Sequence, residues 1–401
     1  MKDVVVVANF VSSLQGTDND RIPYLANMLS KDNSVELIAS TYCHEDKVHR
    51  TTISKFPFKV TLLEEPGYRK NICLKRFWSH YVWGRNVLKY IKSRKKPDLI
   101  YCTIPSLTAA SLVSEYCKRN GIRFVIDVQD LWPEAFQMVF NVPVISKILF
   151  FPFKRLANKA YKNADAIVAV SQTYVNRAVS VNIKGAKGCP VFLGTNLDTF
   201  DEGVKKTLAE MERKYPKNNE IWIGYCGTLG KSYDLPTVFD ALELLRTQIQ
   251  VVPKIIVMGD GPNRVDFESY AASKNVDVLF TGKIPYEKMC ALLSLCDISV
   301  NPIIGTSVAS IINKHADYAA AGIPVINTQE SQEYRNLVDS YVMGLNCKSG
   351  NARELARAIE NLSALVDLRK QMGKNARRCA EEKFDRKTTY QWIVDVIEKD
   401  I

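Results

Sequence analysis

The chain has 401 residues, 46% of them hydrophobic, with 54 Lys+Arg against 43 Asp+Glu. That length exceeds what one hydrophobic core fills, so two globular domains are expected and a disordered chain is excluded. The longest apolar stretch, 142–153, is broken by Ser146 and Lys147, and falls short of the roughly 20 residues that a membrane-spanning helix needs.

The opening MKDVVVVANF runs straight into polar sequence and reads as a first buried strand, not a secretory signal. Further β-branched runs at 35–39, 99–102, 124–127 and 166–170 are separated by segments long enough for helices. A second series follows at 221–226, 254–258, 278–280, 298–301 and 324–327. Such alternation predicts two α/β units, each a parallel sheet covered by helices. Between them, 187–203 is rich in turn residues and reads as a hinge. The ten cysteines form no Cys-x-x-Cys, and several sit in apolar segments. This pattern predicts a reducing, cytoplasmic setting without structural zinc.

The excess charge is confined to the first half: residues 1–200 hold 28 Lys+Arg against 16 Asp+Glu, and residues 201–401 hold 26 against 27. Much of it lies in 75–96 and 146–162, where aromatic residues interleave with basic ones. Three readings fit: docking on an anionic membrane, nucleic-acid binding, or two ordinary amphipathic helices.

Ligands of open α/β sheets bind at the loops leaving the carboxyl ends of the strands. The first strand is followed by no Gly-x-Gly-x-x-Gly, and the chain has no Gly-x-x-x-x-Gly-Lys-Ser/Thr, His-Glu-x-x-His or Gly-x-Ser-x-Gly. A dinucleotide site, a P-loop, a zinc protease and a serine hydrolase are thereby disfavoured. In the second half, YCGTLGKSYDL, MGDGPNR and TGKIPYEKM each place a glycine turn after a strand. Gly227, Thr228 and Gly230, with Lys231 beside them, and Gly261 offer amides and a cation to an anion. In SIINKHADYAAAGIPVI a helix is predicted over about 310–321, ended by Gly322 and Pro324. Free amides at 307–311, among them Ser307 and Ser310, would attract a diphosphate. Lys314 would neutralise it, and Asp317 on the same face would accept hydrogen bonds from ribose hydroxyls. The alternative is a surface i,i+3 ion pair.

NKHADYAAAGIPVI resembles the donor motif of retaining glycosyltransferases of family 4, and FLGTNLDTF, YCGTLGKSYDL, GDGP, LLSLCDISVNPI and VIDVQDLWPEAF are similar to that family over nearly the whole chain. The Asp-Leu-Trp-Pro-Glu form resembles the bacterial branch that builds O-antigen and capsule. The resemblance implies a GT-B fold, α/β, with two Rossmann-like doubly wound parallel-sheet domains facing a central cleft. Residues 1–195 would bind the acceptor, 196–384 the nucleotide-sugar donor, and a helix at about 385–401 would cross back to the first domain. It further implies that Asp317 holds the ribose, Lys314 and Lys231 the diphosphate, and the backbone around Lys283 and Ile284 the base. The first carboxylate of the family's Glu-x7-Glu falls at Ala309.

Sugar transfer needs negative charge stabilised on the departing diphosphate, which fixed cations and helix amides can do. No Asp-x-Asp pair stands at a strand end facing this donor site, so no metal and no cofactor are expected. Asp127, Asp130 and Glu134 follow a first-domain strand and are the catalytic candidates, with Asp130 foremost for orienting the acceptor. The alternative for Glu134 is a helix N-terminal carboxylate. The expected activity is transfer, with retention, from a nucleotide-diphosphate sugar, a UDP-sugar being favoured, to a lipid-linked or saccharide acceptor. The expected place is the inner face of the cytoplasmic membrane, held peripherally by the basic aromatic segments, with no nucleic acid bound. A GT-B sugar-nucleotide epimerase and a non-catalytic basic binding protein remain open as alternatives.

Overall fold

The computed structural model describes residues 1–12, 14, 20–71, 73–135, 143–246, 252–305 and 311–399, the side chains of 143–147 excepted. The chain divides into two compact units, Met1–Phe192 with Thr389–Ile401, and Leu193–Thr388.

Unit 1 is built on seven parallel strands: β1 (Asp3–Val7), β2 (Ser34–Ser40), β3 (Lys59–Leu63), β4 (Leu99–Ile104), β5 (Arg123–Val128), β6 (Ala166–Ala169) and β7 (Gly188–Pro190), in the order β3-β2-β1-β4-β5-β6-β7. Val4 pairs with Val35 on one side and Leu99 on the other. Both faces of the central strands are covered, which is why they read as unbroken apolar runs without alternation. The C-terminal helix Gln391–Glu398 belongs to this unit and packs Ile393, Val394 and Ile397, with Tyr390 just before it, into the core that holds Val4, Leu25 and Leu29. Burying each isoleucine contributes roughly 1.5–3 kcal/mol. The Arg123 guanidinium donates to the carbonyls of Val396 (2.8 Å) and Ile397 (3.2 Å) at the end of the helix, where a cation also complements the helix dipole.

Unit 2 has six parallel strands: β8 (Trp222–Cys226), β9 (Lys254–Met258), β10 (Val278–Gly282), β11 (Ile298–Asn301), β12 (Val325–Asn327) and β13 (Gly344–Asn346), in the order β10-β9-β8-β11-β12-β13. In each sheet the order reverses beside the first strand, so the loops after that strand and its neighbours open at a topological switch point.

Three strands, β3, β7 and β13, are absent from the sequence reading. Each lies at or next to a sheet edge or is only three residues long, so little burial marks it in the sequence. The 187–203 segment, expected as a hinge, contains the division between the units at Phe192 and Leu193, and also contributes β7 and starts the helix Leu197–Lys214. The Asn196 side chain caps that helix by accepting from the Thr199 amide at 3.3 Å. Among the described residues no helix is long and apolar enough to cross a membrane, and no group of three or more His, Cys, Asp or Glu is arranged to hold a metal ion.

Candidate functional site

A cavity of about 360 Å³ opens in unit 2 beside the loop that follows β8, within the size range of small-molecule sites. Its walls come from the end of β8, the start of the helix Tyr286–Ser294 and the helix Asn313–Ala320. The last helix starts three residues later than the sequence predicts. Ile312 is extended, and its amide donates to His315 Nδ1 at 3.3 Å, tying off the first turn. Lys314 therefore stands within that first turn, and Asp317 follows one turn on. Gly322 ends the segment at φ +65°, a left-handed position suited to glycine. Ser307 and Ser310, expected to offer amides here, lie outside the described residues.

Lys314 is only 7% exposed. Its ammonium donates to the Tyr225 hydroxyl at 3.1 Å and lies 4.1 Å and 3.7 Å from the ring centroids of Tyr225 and Tyr233. The Tyr225 hydroxyl in turn donates to the Thr228 carbonyl at 2.8 Å, which leaves its lone pair for the lysine. Among the described residues no carboxylate lies within ion-pairing distance of Lys314, so the i,i+3 ion pair with Asp317 is not formed. Burial pushes the ammonium down to about 7, because the charged form loses its hydration. Gly227 has φ +129°, and a Cβ there would lie 3.0 Å from Lys314 Nζ; glycine thus permits both the turn and the close approach of the lysine.

Asp317 accepts a hydrogen bond from the Tyr286 hydroxyl at 2.8 Å, and the Thr195 hydroxyl lies 2.8 Å from the same phenol. The Thr195 hydroxyl also supports the Asp317 carboxylate. Burial raises the Asp317 carboxyl to about 6, against the opposing hydrogen bond from Tyr286.

Of the residues expected at the donor site, Gly227, Thr228, Lys314 and Asp317 line this cavity. Gly230, Lys231, Gly261, Lys283 and Ile284 do not. Lys231 and Lys283 are exposed. Gly261 packs against the turn itself, since a Cβ there would lie 2.4 Å from the Leu229 carbonyl oxygen. The turn amides are also partly committed: Gly227 donates to the Met258 carbonyl at 2.9 Å and Leu229 to the Asp260 carbonyl at 3.0 Å. The Thr228 amide has no partner among the described residues. The reading missed Tyr225, Tyr233 and Tyr286, although the first two flank the glycine turn and the third follows Ile284 by two positions.

The unit 1 candidates separate. Asp127 is fully buried and bidentate with Arg21, at 3.0 and 3.1 Å, while Gln129 donates to it at 2.8 Å. This corrects the expectation that it meets substrate: it is an internal counter-ion. Glu134 pairs with Arg177 at 2.6 Å, and Arg177 also donates to Asn158 at 2.8 Å, which ties elements of unit 1 together. Asp130 stays partly exposed, accepts from the Trp132 indole N–H at 2.9 Å, and has its pKa raised by burial.

Residues 208–379, all within unit 2, match the model of glycosyl transferases group 1. An uncharacterized glycosyltransferase of Methanocaldococcus jannaschii is 23% identical over 258 residues, 63% of this chain and 63% of that protein; the chain thus spans just under two thirds of the relative it matches. The crystal structure of HepE from Anabaena in complex with UDP aligns with a TM-score of 0.70 at 16% identity, covering 99% of both chains. Sucrose-phosphate synthase from Thermosynechococcus elongatus aligns at 0.71 and 16% identity, covering 99% of this chain and 98% of that one. The fold is therefore a pair of Rossmann-like parallel-sheet domains like that of these solved structures, and the match to glycosyl transferases group 1 covers most of unit 2.

Proposed function

We propose that the chain transfers a sugar, with retention, from a nucleotide-diphosphate sugar to a lipid-linked or saccharide acceptor in cell-surface polysaccharide assembly, without a metal ion. The observation that carries this reading is the buried Lys314 ammonium, cradled by two tyrosine rings and without a carboxylate partner, one helical turn from Asp317 in one cavity. A diphosphate entering there supplies the missing counter-charge, holds Lys314 protonated, and has the charge of the departing nucleotide stabilised in place. Asp317, still ionised near pH 7, accepts the ribose hydroxyls, and Tyr286 fixes its orientation. The Thr228 amide offers a further donor. A UDP donor is favoured, because HepE, of the same fold, is known with UDP and with UDP-glucose. Asp130 is the residue assigned to orienting the acceptor, and the reaction itself then depends on positioning the acceptor hydroxyl at the anomeric carbon.

The basic aromatic segments support a peripheral place on an anionic inner membrane. Leu74, Trp78 and Tyr81 are exposed along one face of the helix Leu74–Ser93, and Ile148, Leu149 and Phe151 are exposed on the helix Pro143–Asn163. The rings of Phe77 and Phe153, 4.8 Å apart, join the two helices, and Lys75, Lys154 and Arg155 are exposed beside them. Apolar side chains among cations suit insertion at an anionic headgroup layer.

The test is a thermal-shift panel of UDP, GDP, ADP and CMP on the wild type and Asp317→Ala. Selective stabilisation by one diphosphate, lost in the variant, is expected; no shift with any nucleotide would sink the donor-site reading.

A further inference from the structure

The loops at the carboxyl edge of the unit 1 sheet bring together a second polar group, which the donor site leaves unused. Phe10 follows β1, His44 and Lys47 lie in the short hairpin after β2, Tyr68 follows β3, and Trp132 follows β5. Arg76 and His80 stand in the first two turns of the helix Leu74–Ser93.

Arg76 is 7% exposed. Its guanidinium carbon lies 4.5 Å from the Trp132 ring centroid, 5.5 Å from Tyr68 and 5.7 Å from Phe10. It donates to the Asn71 carbonyl at 2.7 Å, and its buried Nε has no hydrogen-bond partner. Lys47 Nζ lies 3.2 Å from His44 Nδ1 and 5.3 Å from the Tyr68 ring centroid. The Tyr68 hydroxyl lies 2.5 Å from His44 Nδ1 and 3.4 Å from His80 Nε2, and His80 stacks on Trp132 with centroids 5.6 Å apart. Burial, and next the Arg76 charge, hold both histidines down to about 3, so they are neutral at pH 7.

Of the nearby carboxylates, Glu65 is engaged elsewhere, and Asp130 attracts Arg76 only from beyond ion-pairing distance. Glu65 accepts from Asn9, Ser40 and Ser79 at 2.7, 2.6 and 2.7 Å, and Asp130 accepts from the Trp132 indole. Among the described residues none lies within ion-pairing distance of Arg76 or Lys47. Two cations and two neutral imidazoles thus surround one phenol, with a guanidinium N–H unspent. A buried guanidinium with no carboxylate in contact among the described residues is unfavourable by itself, and its planar donor fork matches the oxygens of a phosphoryl group.

We propose that this cluster is an anion site, in which Arg76 is the fixed fork and the more exposed Lys47 and His44 complete the shell around a phosphate or diphosphate group of the acceptor. The assignment rests on reading the chain as a glycosyltransferase whose unit 1 takes the acceptor. The ligand is then a phosphorylated saccharide or a lipid diphosphate, two sources of the same chemistry.

The test is a titration of the full-length Lys314→Met protein with inorganic pyrophosphate, followed through the imidazole NMR signals of His44 and His80; that substitution weakens the competing unit 2 cavity. Both signals are expected to shift saturably, with affinity reduced about tenfold or more in Arg76→Gln and several-fold in Lys47→Gln, whose half-exposed side chain is the safer one for folding. Signals that stay still, or shift with equal affinity in both variants, overturn the proposal. Geranyl diphosphate and glucose 1-phosphate then separate the two sources by which binds more tightly. A histidine response in a protein that transfers no sugar would keep the anion site and sink the glycosyltransferase reading. Nucleotide binding with silent histidines would do the reverse.

Discussion

The Lys314 ammonium sits 3.7 Å from the ring centroid of Tyr233. It is a buried charge that meets aromatic faces and one phenol oxygen and, among the described residues, no anion within ion-pairing distance.

Removing that charge separates binding from stability. Lys314→Met is expected to weaken UDP binding roughly 10- to 100-fold, the effect of losing a charge-assisted hydrogen bond of about 1.5–3 kcal/mol. The same variant should unfold at equal or higher denaturant concentration, since a desolvated ammonium is replaced by an apolar side chain of similar shape. Calorimetric titration and urea melts check the two halves independently.

The pH dependence follows from the same burial. The Lys314 pKa is lowered to about 7, so above that value the unfolded chain binds the extra proton and this lysine's contribution to stability rises with pH, up to its ordinary range near 10.4. The Asp317 pKa is raised to about 6, so the folded chain holds the extra proton between about 4 and that value, and the Asp317 contribution falls as pH rises through the window. UDP affinity should decline above pH 7, as Lys314 must take up a proton to bind. Measured from about pH 7.5 to about 9, above the Asp317 window, the wild type should lose affinity while Lys314→Met stays flat; parallel profiles would refute the assignment.

Tyr286→Phe leaves the Asp317 carboxylate and the Thr195 hydroxyl facing an apolar ring edge. A cost of about 1–3 kcal/mol is expected in urea unfolding, together with a several-fold rise in KM for the donor. If Asp317 met no ribose, the stability would fall and KM would stay unchanged.

The Arg21 and Asp127 pair makes the opposite point. Arg21→Met should destabilise the protein by about 3–5 kcal/mol by stranding a buried carboxylate, and adding Asp127→Leu should restore most of the loss. A double-mutant cycle measures this. Full loss of transfer in the stable double variant would return Asp127 to the catalytic candidates.

Membrane docking predicts that Trp78→Ser combined with Ile148→Ser lowers co-sedimentation with phosphatidylglycerol vesicles several-fold, with UDP binding unaltered. Equal sedimentation of both proteins would remove these helices from the interface.

The legible part of the fold was the part repeated locally. Val4–Val7, Ile223 and Ile255 are buried, and runs of that kind announce central strands of a doubly covered sheet. Gly188–Pro190 and Gly344–Asn346 carry too little apolar surface to do so. Lys314 and Asp317 were legible because charges in an otherwise apolar, alanine-rich helix ahead of Gly-Ile-Pro need a compensating reason. Tyr225, Tyr233 and Tyr286 were not, because an aromatic residue in or beside a strand reads equally as core.

By itself the sequence determined two parallel-sheet units and the helix that carries Lys314 and Asp317, since periodicity and capping act within a few residues. The tertiary structure decided which charges find partners. Asp127 meets Arg21 across 106 positions of chain, whereas Lys314 and Arg76 meet aromatic rings and, among the described residues, no carboxylate within ion-pairing distance. Strand order sets those encounters, and with them the difference between a buried charge with a counter-ion and one that faces aromatic rings.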